Sequence, residues 1–313
     1  MNLEKFVEIY YKQGYELNSA QAKVAQDIIL LKLSESKYKD NITIKGGVVM
    51  HNISHSMRRA TRDIDLDFIK YSLDNNSIYN FIETLNKMND NVQIQIEKII
   101  ALKHEDYNGK RVYVKIIDKY NYYIETKLDI GVHKLFQIRQ EQYYFNLSII
   151  NEEVTLLINS SEQIFTEKLK SLLKLGINST RYKDIFDLYY LIKCNKLDKN
   201  KLLFNFKIII FDNKQMRENR LDNIIIRLTQ IFNSNILCND SSMRTIEDSE
   251  FMNSIFEPKK TTFFGYHSCT ILWVSKKTEI PSPEPIFSFV TGTDRMVSSL
   301  NSKILFLSEF PGK

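Results

Sequence analysis

Apolar positions recur with one period before residue 160 and with another after it. From Ser19 to Leu33, Ala22, Val24, Ala25, Ile28, Ile29 and Leu31 form a broad helical stripe with Ser19 as the expected cap. Asn41 to Lys45 (NITIK) is a short β-branched run that ends at Gly46-Gly47, and an expected helix, VVMHNIS, follows. Strict alternation from Asp63 to Ile69 then marks a strand. The order is strand, glycine turn, helix, strand. A helix is expected around Ser77 to Met88, followed by β-rich stretches over Val92 to Leu102, Val112 to Ile117 and Tyr122 to Val132. This pattern predicts a mixed sheet with helices on one side.

Beyond Ser160 the helical period takes over, through Ile164, Leu169, Leu172 and Leu173, then Tyr182, Ile185, Phe186, Leu188, Tyr189 and Ile192, and again over Leu221 to Phe232. The expected class is therefore α+β. The expected domains are a mixed-sheet domain over 1–158, a helical domain over 159–257 and an atypical tail over 258–313. All five prolines (Pro258, Pro281, Pro283, Pro285 and Pro311) lie in that tail. Two readings of it stay open: a segment of different origin, such as a frameshifted or read-through extension, or an ordinary C-terminal strand region. SPEPIFSFV and SKILFLSEF both have strand character.

Composition narrows the class. With 43% hydrophobic and 26% charged residues, the chain has the balance of a soluble globular protein. No run approaches the roughly 18 apolar residues of a membrane span, and MNLEKFVEIYYKQGYE is too charged for a secretory signal, so a cytoplasmic location is expected. Cys194, Cys238 and Cys269 are too few and too scattered for a disulfide framework or a zinc site. None of the five histidines (His51, His55, His104, His133 and His267) has metalloprotease-like spacing, and none is assigned chemistry. A net charge of +5 permits nucleotide or nucleic-acid binding without demanding it.

The candidate chemistry begins in DIDLDF. Strand alternation puts Asp63, Asp65 and Asp67 on one face and Ile64, Leu66 and Phe68 on the other. Acids at i and i+2 repel one another unless a cation neutralises them, which suits a divalent metal. The bland reading is a polar outer face on an edge strand. Gly46-Gly47 favours the metal reading, because glycines between a strand and a helix let backbone N–H groups approach a phosphate. Asp129, in KLDIGV, joins the pair if its strand is a neighbour in the same sheet; otherwise it is a strand-end acid before a turn at Gly131.

These residues carry a resemblance. KGG, then Arg59-x-Thr61-x-Asp63-Ile64-Asp65-Leu66-Asp67-Phe68, then Lys127-Leu128-Asp129, resembles the core of DNA polymerase β-like nucleotidyltransferases. SEQIFTEKL (Ser161 to Leu169) with RYKDIFDLY (Arg181 to Tyr189) is similar, more narrowly, to the AbiEii nucleotidyltransferase toxins. The resemblance runs over about residues 15 to 235 and leaves the proline-bearing tail aside.

The resemblance implies a polymerase β-like mixed-sheet domain followed by a helical domain. Asp63, Asp65 and Asp129 would bind Mg²⁺ or Mn²⁺, with Asp129 also able to activate an acceptor hydroxyl. Gly46 and Gly47 would flank the triphosphate, with Arg59 and Thr61 nearby. Lys168 would contact phosphate, and Asp184 would supply the acid of a Lys-Asp pair. Asp67 would be peripheral. By themselves, Glu167-Lys168 and Lys183-Asp184 read as solvated helix charges. The implied reaction is transfer of a nucleotide from a nucleoside triphosphate, releasing pyrophosphate, to an RNA acceptor such as tRNA. Lys168, Lys170, Lys174, Arg181 and Lys183 would offer contacts to its backbone. The implied setting is a toxin of a toxin–antitoxin or phage-defence system, with a cognate antitoxin. The alternatives are transfer to a small molecule or protein, and a catalytically idle nucleotide- or RNA-binding module.

Overall fold

The structure, a computed structural model, describes residues 1–55, 61–103, 108–147, 151–178, 181–194, 196–232, 272–274 and 287–289. The chain divides into two compact units, Met1–Ser160 and Ser161–Lys313. Together they give the α+β class expected, with a seven-stranded mixed sheet in the first and helices in the second.

The first unit opens with α1 (Leu3–Lys12) and α2 (Leu17–Ser34). Asn2 caps α1 through its side chain. Asp118 pins the start of α1 by accepting from the Leu3 N–H at 2.9 Å. The cap of α2 is Glu16, not Ser19, which lies within the first turn. α2 is also more than an apolar stripe. Lys23, Gln26, Asp27 and Lys32 are buried with its apolar residues, and each has a partner. Lys32 bonds Asp90 at 2.8 Å and the Val92 carbonyl at 2.9 Å. Asp27 accepts from Tyr10 at 2.5 Å and Lys23 at 2.6 Å. Burial pushes the Asp27 carboxyl above its ordinary range, against the pull of Lys23.

The sheet follows: β1 (Ile42–Lys45), β2 (Asp63–Phe68), β3 (Val92–Lys103), β4 (Asn108–Asp118), β5 (Tyr123–Val132), β6 (Glu141–Leu147) and β7 (Glu152–Ile158). Between them lie α3 (Gly46–Ser54), after β1, and α4 (Asn75–Leu85), after β2. The glycine pair is thus the first turn of α3 and not a separate turn before it. The spatial order is β3-β4-β5-β2-β1-β7-β6. β2 runs parallel to β5, and β1 parallel to β7; the remaining pairs are antiparallel. Gly131 lies inside β5, paired with Asp67, so the turn reading at that glycine is corrected.

Period-two alternation sorts the two faces of the sheet. Ile42, Ile44, Ile64, Leu66, Val112, Val114, Leu128 and Ile130 are all buried. Each contributes about 1.5–3 kcal/mol relative to exposure. Between them Asp65, Tyr113 and Asp129 are half-buried and Thr43 is fully buried, so the carboxylate-bearing face is backed by core.

The second unit contains α5 (Ser161–Leu175), α6 (Tyr182–Lys193), α7 (Lys199–Phe206), a π-helical turn over Lys207–Phe211, and α8 (Leu221–Phe232). α5 ends at Gly176, whose φ of +60° favours glycine. The Arg227 guanidinium lies where a Cβ would be, and its Nε donates to the Leu173 carbonyl at 3.3 Å. Within the tail, Leu272–Val274 (β8) pairs antiparallel with Phe287–Phe289 (β9), the latter inside SPEPIFSFV. SKILFLSEF lies outside the described residues.

Candidate active site

The strand order brings the expected carboxylates together. Asp65 on β2 is the register partner of Asp129 on β5, and neighbouring strands lie about 4.8 Å apart. On the far side of β5, Asp129 pairs with Arg111 of β4; on the other side of β2, Asp65 pairs with Lys45 of β1. Cross-strand partners share a face, so one row across four strands reads Lys45, Asp65, Asp129, Arg111. Asp63 and Lys127 are partners in the same-face row on one side of it, Asp67 and Gly131 in the row on the other side.

Each of three acids in this lattice is held by a cation. Arg111 grips Asp129 with two parallel bonds of 2.7 Å, from Nε to Oδ1 and from Nη2 to Oδ2. That grip raises the guanidinium pKa above its ordinary value, first through the bond to Asp129, with Tyr113 and Asp63 adding to it. Lys127 Nζ lies 3.1 Å from Asp63, and Lys45 Nζ lies 2.6 Å from Asp67. Among the described residues, no three acid, histidine or cysteine side chains converge as a preformed cation site.

The glycines are placed by these side chains. Gly46 has φ +64°, and a Cβ there would stand 2.1 Å from Asp65 Oδ2. The carboxylate therefore folds over the first turn of α3, where four backbone N–H groups have no helical partner. Lys45, the N-cap of α3, makes no side-chain cap bond, and a helix N-terminus of this kind suits an anion. A Cβ on Gly47 would meet the Thr61 side chain at 2.7 Å, and Gln26 of α2 anchors the Thr61 carbonyl at 2.6 Å. Gly131 makes room for Asp67: a Cβ there would lie 2.2 Å from Oδ1 and 3.5 Å from Lys45 Nζ. Arg59 lies outside the described residues.

In the second unit, Lys168 on α5 meets two acids of α6, Asp184 at 2.6 Å and Asp187 at 2.8 Å. Arg181 lies 3.1 Å from Asp184. Asp187 is fully buried, and Lys168 and Asp184 are nearly so. The solvated-charge reading of Lys168 and Asp184 is therefore corrected: the i, i+3 spacing of Asp184 and Asp187 turns both toward α5. Lys183, by contrast, is exposed.

Sequence reasoning gives no role to Lys45, Arg111, Lys127 or Asp187. Their signals are nonetheless in the alternation. Lys127 is two residues from Asp129 and so shares its face; Arg111 heads the polar face of RVYVK; Asp187 is one helical turn after Asp184.

The donor types, though not converged as a preformed site, are those a divalent cation takes. Asp63 and Asp65, two residues apart on β2, and Asp129, opposite Asp65 in register, give a hard-oxygen face, and Gly46 leaves space for the Asp65 carboxylate. Among the described residues, no helix is long and apolar enough to cross a membrane.

The crystal structure of an antigenic nucleotidyltransferase-like protein from Paracoccidioides brasiliensis resembles the chain with a TM-score of 0.39 and 17% identity, over 72% of this chain and 91% of that one. No curated protein matches the sequence. A family model described as nucleotidyl transferase AbiEii toxin, type IV TA system, matches residues 28–254, well over half of the chain and spanning both charged clusters. The chain therefore belongs to the AbiEii family of nucleotidyltransferase toxins of type IV toxin–antitoxin systems.

Proposed function

We propose that this nucleotidyltransferase moves a nucleotide from a nucleoside triphosphate to an RNA acceptor, with tRNA ends the favoured class, and that it acts as a growth-arresting toxin opposed by a cognate antitoxin. The observation that carries the reading is the pairing of Asp65 with Asp129 beside the first turn of α3. Asp63, Asp65 and Asp129 would hold Mg²⁺ or Mn²⁺, which when bound would neutralise the triphosphate and acidify the acceptor hydroxyl. The N–H groups at Gly46 and Gly47 orient phosphate oxygens, and Thr61 sets the width of that turn through Gly47. The acceptor hydroxyl attacks the α-phosphorus, the bond to the bridging oxygen breaks, and pyrophosphate leaves. Asp129, once released from Arg111, would take the hydroxyl proton. In the second unit, an ammonium has three donors, two of which go from Lys168 to Asp184 and Asp187. The third is assigned to a phosphate oxygen.

The test is label transfer to total RNA from each of the four triphosphates with Mg²⁺. Wild-type protein should label RNA, and Asp63→Asn with Asp65→Asn should lose more than about a hundredfold, since even outer-shell partners of a metal are worth 10–100-fold. Inducing the wild-type protein should stop growth, and inducing the double variant should not. Labelling confined to protein or to small molecules would overturn the RNA assignment.

A further inference from the structure

The carboxylate face has an unusual charge arrangement. Among the described residues, four acids, Asp63, Asp65, Asp67 and Asp129, are bordered by three cations, Lys45, Lys127 and Arg111, and the contacts run from cation to acid at 2.6–3.1 Å. The cations stand where a divalent ion would otherwise balance the acids. Arg111 is the clearest case, because its fork engages both oxygens of Asp129. A carboxylate offers about four lone-pair sites, so this fork takes half of them.

A divalent ion entering this face alone meets carboxylates already neutralised and three nearby positive charges. A triphosphate entering alone meets the acids, while the cations that could receive it are bound to them. Arriving together, the two ligands remove both obstacles: the metal takes the carboxylates, and the released cations turn to the phosphate oxygens. These side chains reach solvent, being 18% (Lys45), 32% (Lys127) and 29% (Arg111) exposed. Lys45 also directly precedes the first turn of α3, the phosphate end of that helix.

We propose that Lys45, Lys127 and Arg111 form an internal counter-ion set, handed from the carboxylates to the triphosphate as the metal binds, so that these side chains oppose the metal until the nucleotide arrives. The proposal rests on the nucleotidyl-transfer reading above and adds two things to it: triphosphate-binding roles for three residues, and strong reciprocal coupling between the two ligands.

The experiment uses the full chain and titrates Mn²⁺ by electron paramagnetic resonance, with and without the non-hydrolysable α,β-methylene analogue of each triphosphate. In wild-type protein a saturating analogue should tighten Mn²⁺ binding by about 5–150-fold, and Mn²⁺ should tighten the analogue by the same factor. Arg111→Met and Lys127→Met should each bind Mn²⁺ alone more tightly than wild type, bind the analogue more weakly, and lose most of the coupling. Circular dichroism checks that each variant is folded. Mn²⁺ also chelates the triphosphate itself, so the wild-type factor is read against the Met variants, two independent substitutions that keep the proposal testable where one fails to fold. Equal Mn²⁺ affinity in wild-type protein with and without analogue overturns the proposal. So does wild-type behaviour of both Met variants while Asp63→Asn with Asp65→Asn loses Mn²⁺, an outcome that leaves the active-site reading standing. If that double Asn variant binds both Mn²⁺ and analogue like wild type, the active-site reading falls and takes the proposal with it.

Discussion

At the scale of single residues, the face is built as much by missing β-carbons as by charges. Gly131 shows this best, because its backbone is ordinary strand and only space is at issue. An added methyl would lie 2.2 Å from Asp67 Oδ1, and Asp67 is buried and tied to Lys45. Asp67 can yield only by giving up that ion pair. Gly131→Ala should therefore cost about 1–3 kcal/mol, the range for overpacking a well-filled site, measured by urea unfolding. If the collision is with Asp67, the cost should shrink in an Asp67→Ala background, as a double-mutant cycle reports. A cost unchanged between the two backgrounds would place the strain elsewhere in β5. The sequence shows Gly131 only as a glycine after Asp129, for which a turn is the ordinary reading. Nothing local reveals that Asp67, 64 positions earlier, leans on it.

At the scale of elements, what could be read from the sequence follows from what period-two and helical patterns encode. DIDLDF alternates without a flaw, so β2 and its acidic face are legible, and α5 and α6 are legible from their stripes. β6 and β7 are not resolved by pattern. Tyr143, Tyr144 and Phe145 are consecutive, as are Leu156 and Leu157, and such runs blur the alternation. Tyr144 is 73% exposed on an edge strand, where an outward aromatic carries no information about the core. Strand order is also silent in the sequence: β5 lies beside β2 although β3 and β4 separate them in the chain, and only that order makes Asp129 a partner of Asp65. On helices, a stripe marks what is apolar but not which charges go in with it. The Lys168 cluster joins α5 to α6 through a fully buried Asp187. Removing one partner of a buried pair costs about 3–5 kcal/mol, and Asp184 remains to hold Lys168. Asp187→Asn should thus destabilise by about 2 kcal/mol in thermal or urea unfolding. A change under about 0.5 kcal/mol, the scale of surface substitutions, would mean that Asp187 contributes nothing to the joint.

At the scale of the whole molecule, the family match ends close to where the prolines begin, within a compact unit that runs from Ser161 to Lys313. The match ends at residue 254, and the first proline is Pro258. Every residue given a role here lies before that point, from Lys45 to Asp187, and so does the last helix described, α8. The helices α5 and α6 carry their own buried contacts, through Leu169, Leu172, Leu173, Leu188 and Leu191. A chain ending at Glu257 should accordingly fold, bind nucleotide with unchanged affinity and unfold within a few degrees of the full chain. The calibration is that 1 kcal/mol moves the midpoint of a chain this long by roughly 2–4 °C. A drop well beyond that, with nucleotide affinity retained, would show that residues 258–313 pack as a stabilising part of the second unit. Loss of nucleotide binding on truncation, with the unfolding midpoint unchanged, would instead assign the proline-bearing segment a part in the site, and the boundary drawn from composition would be wrong.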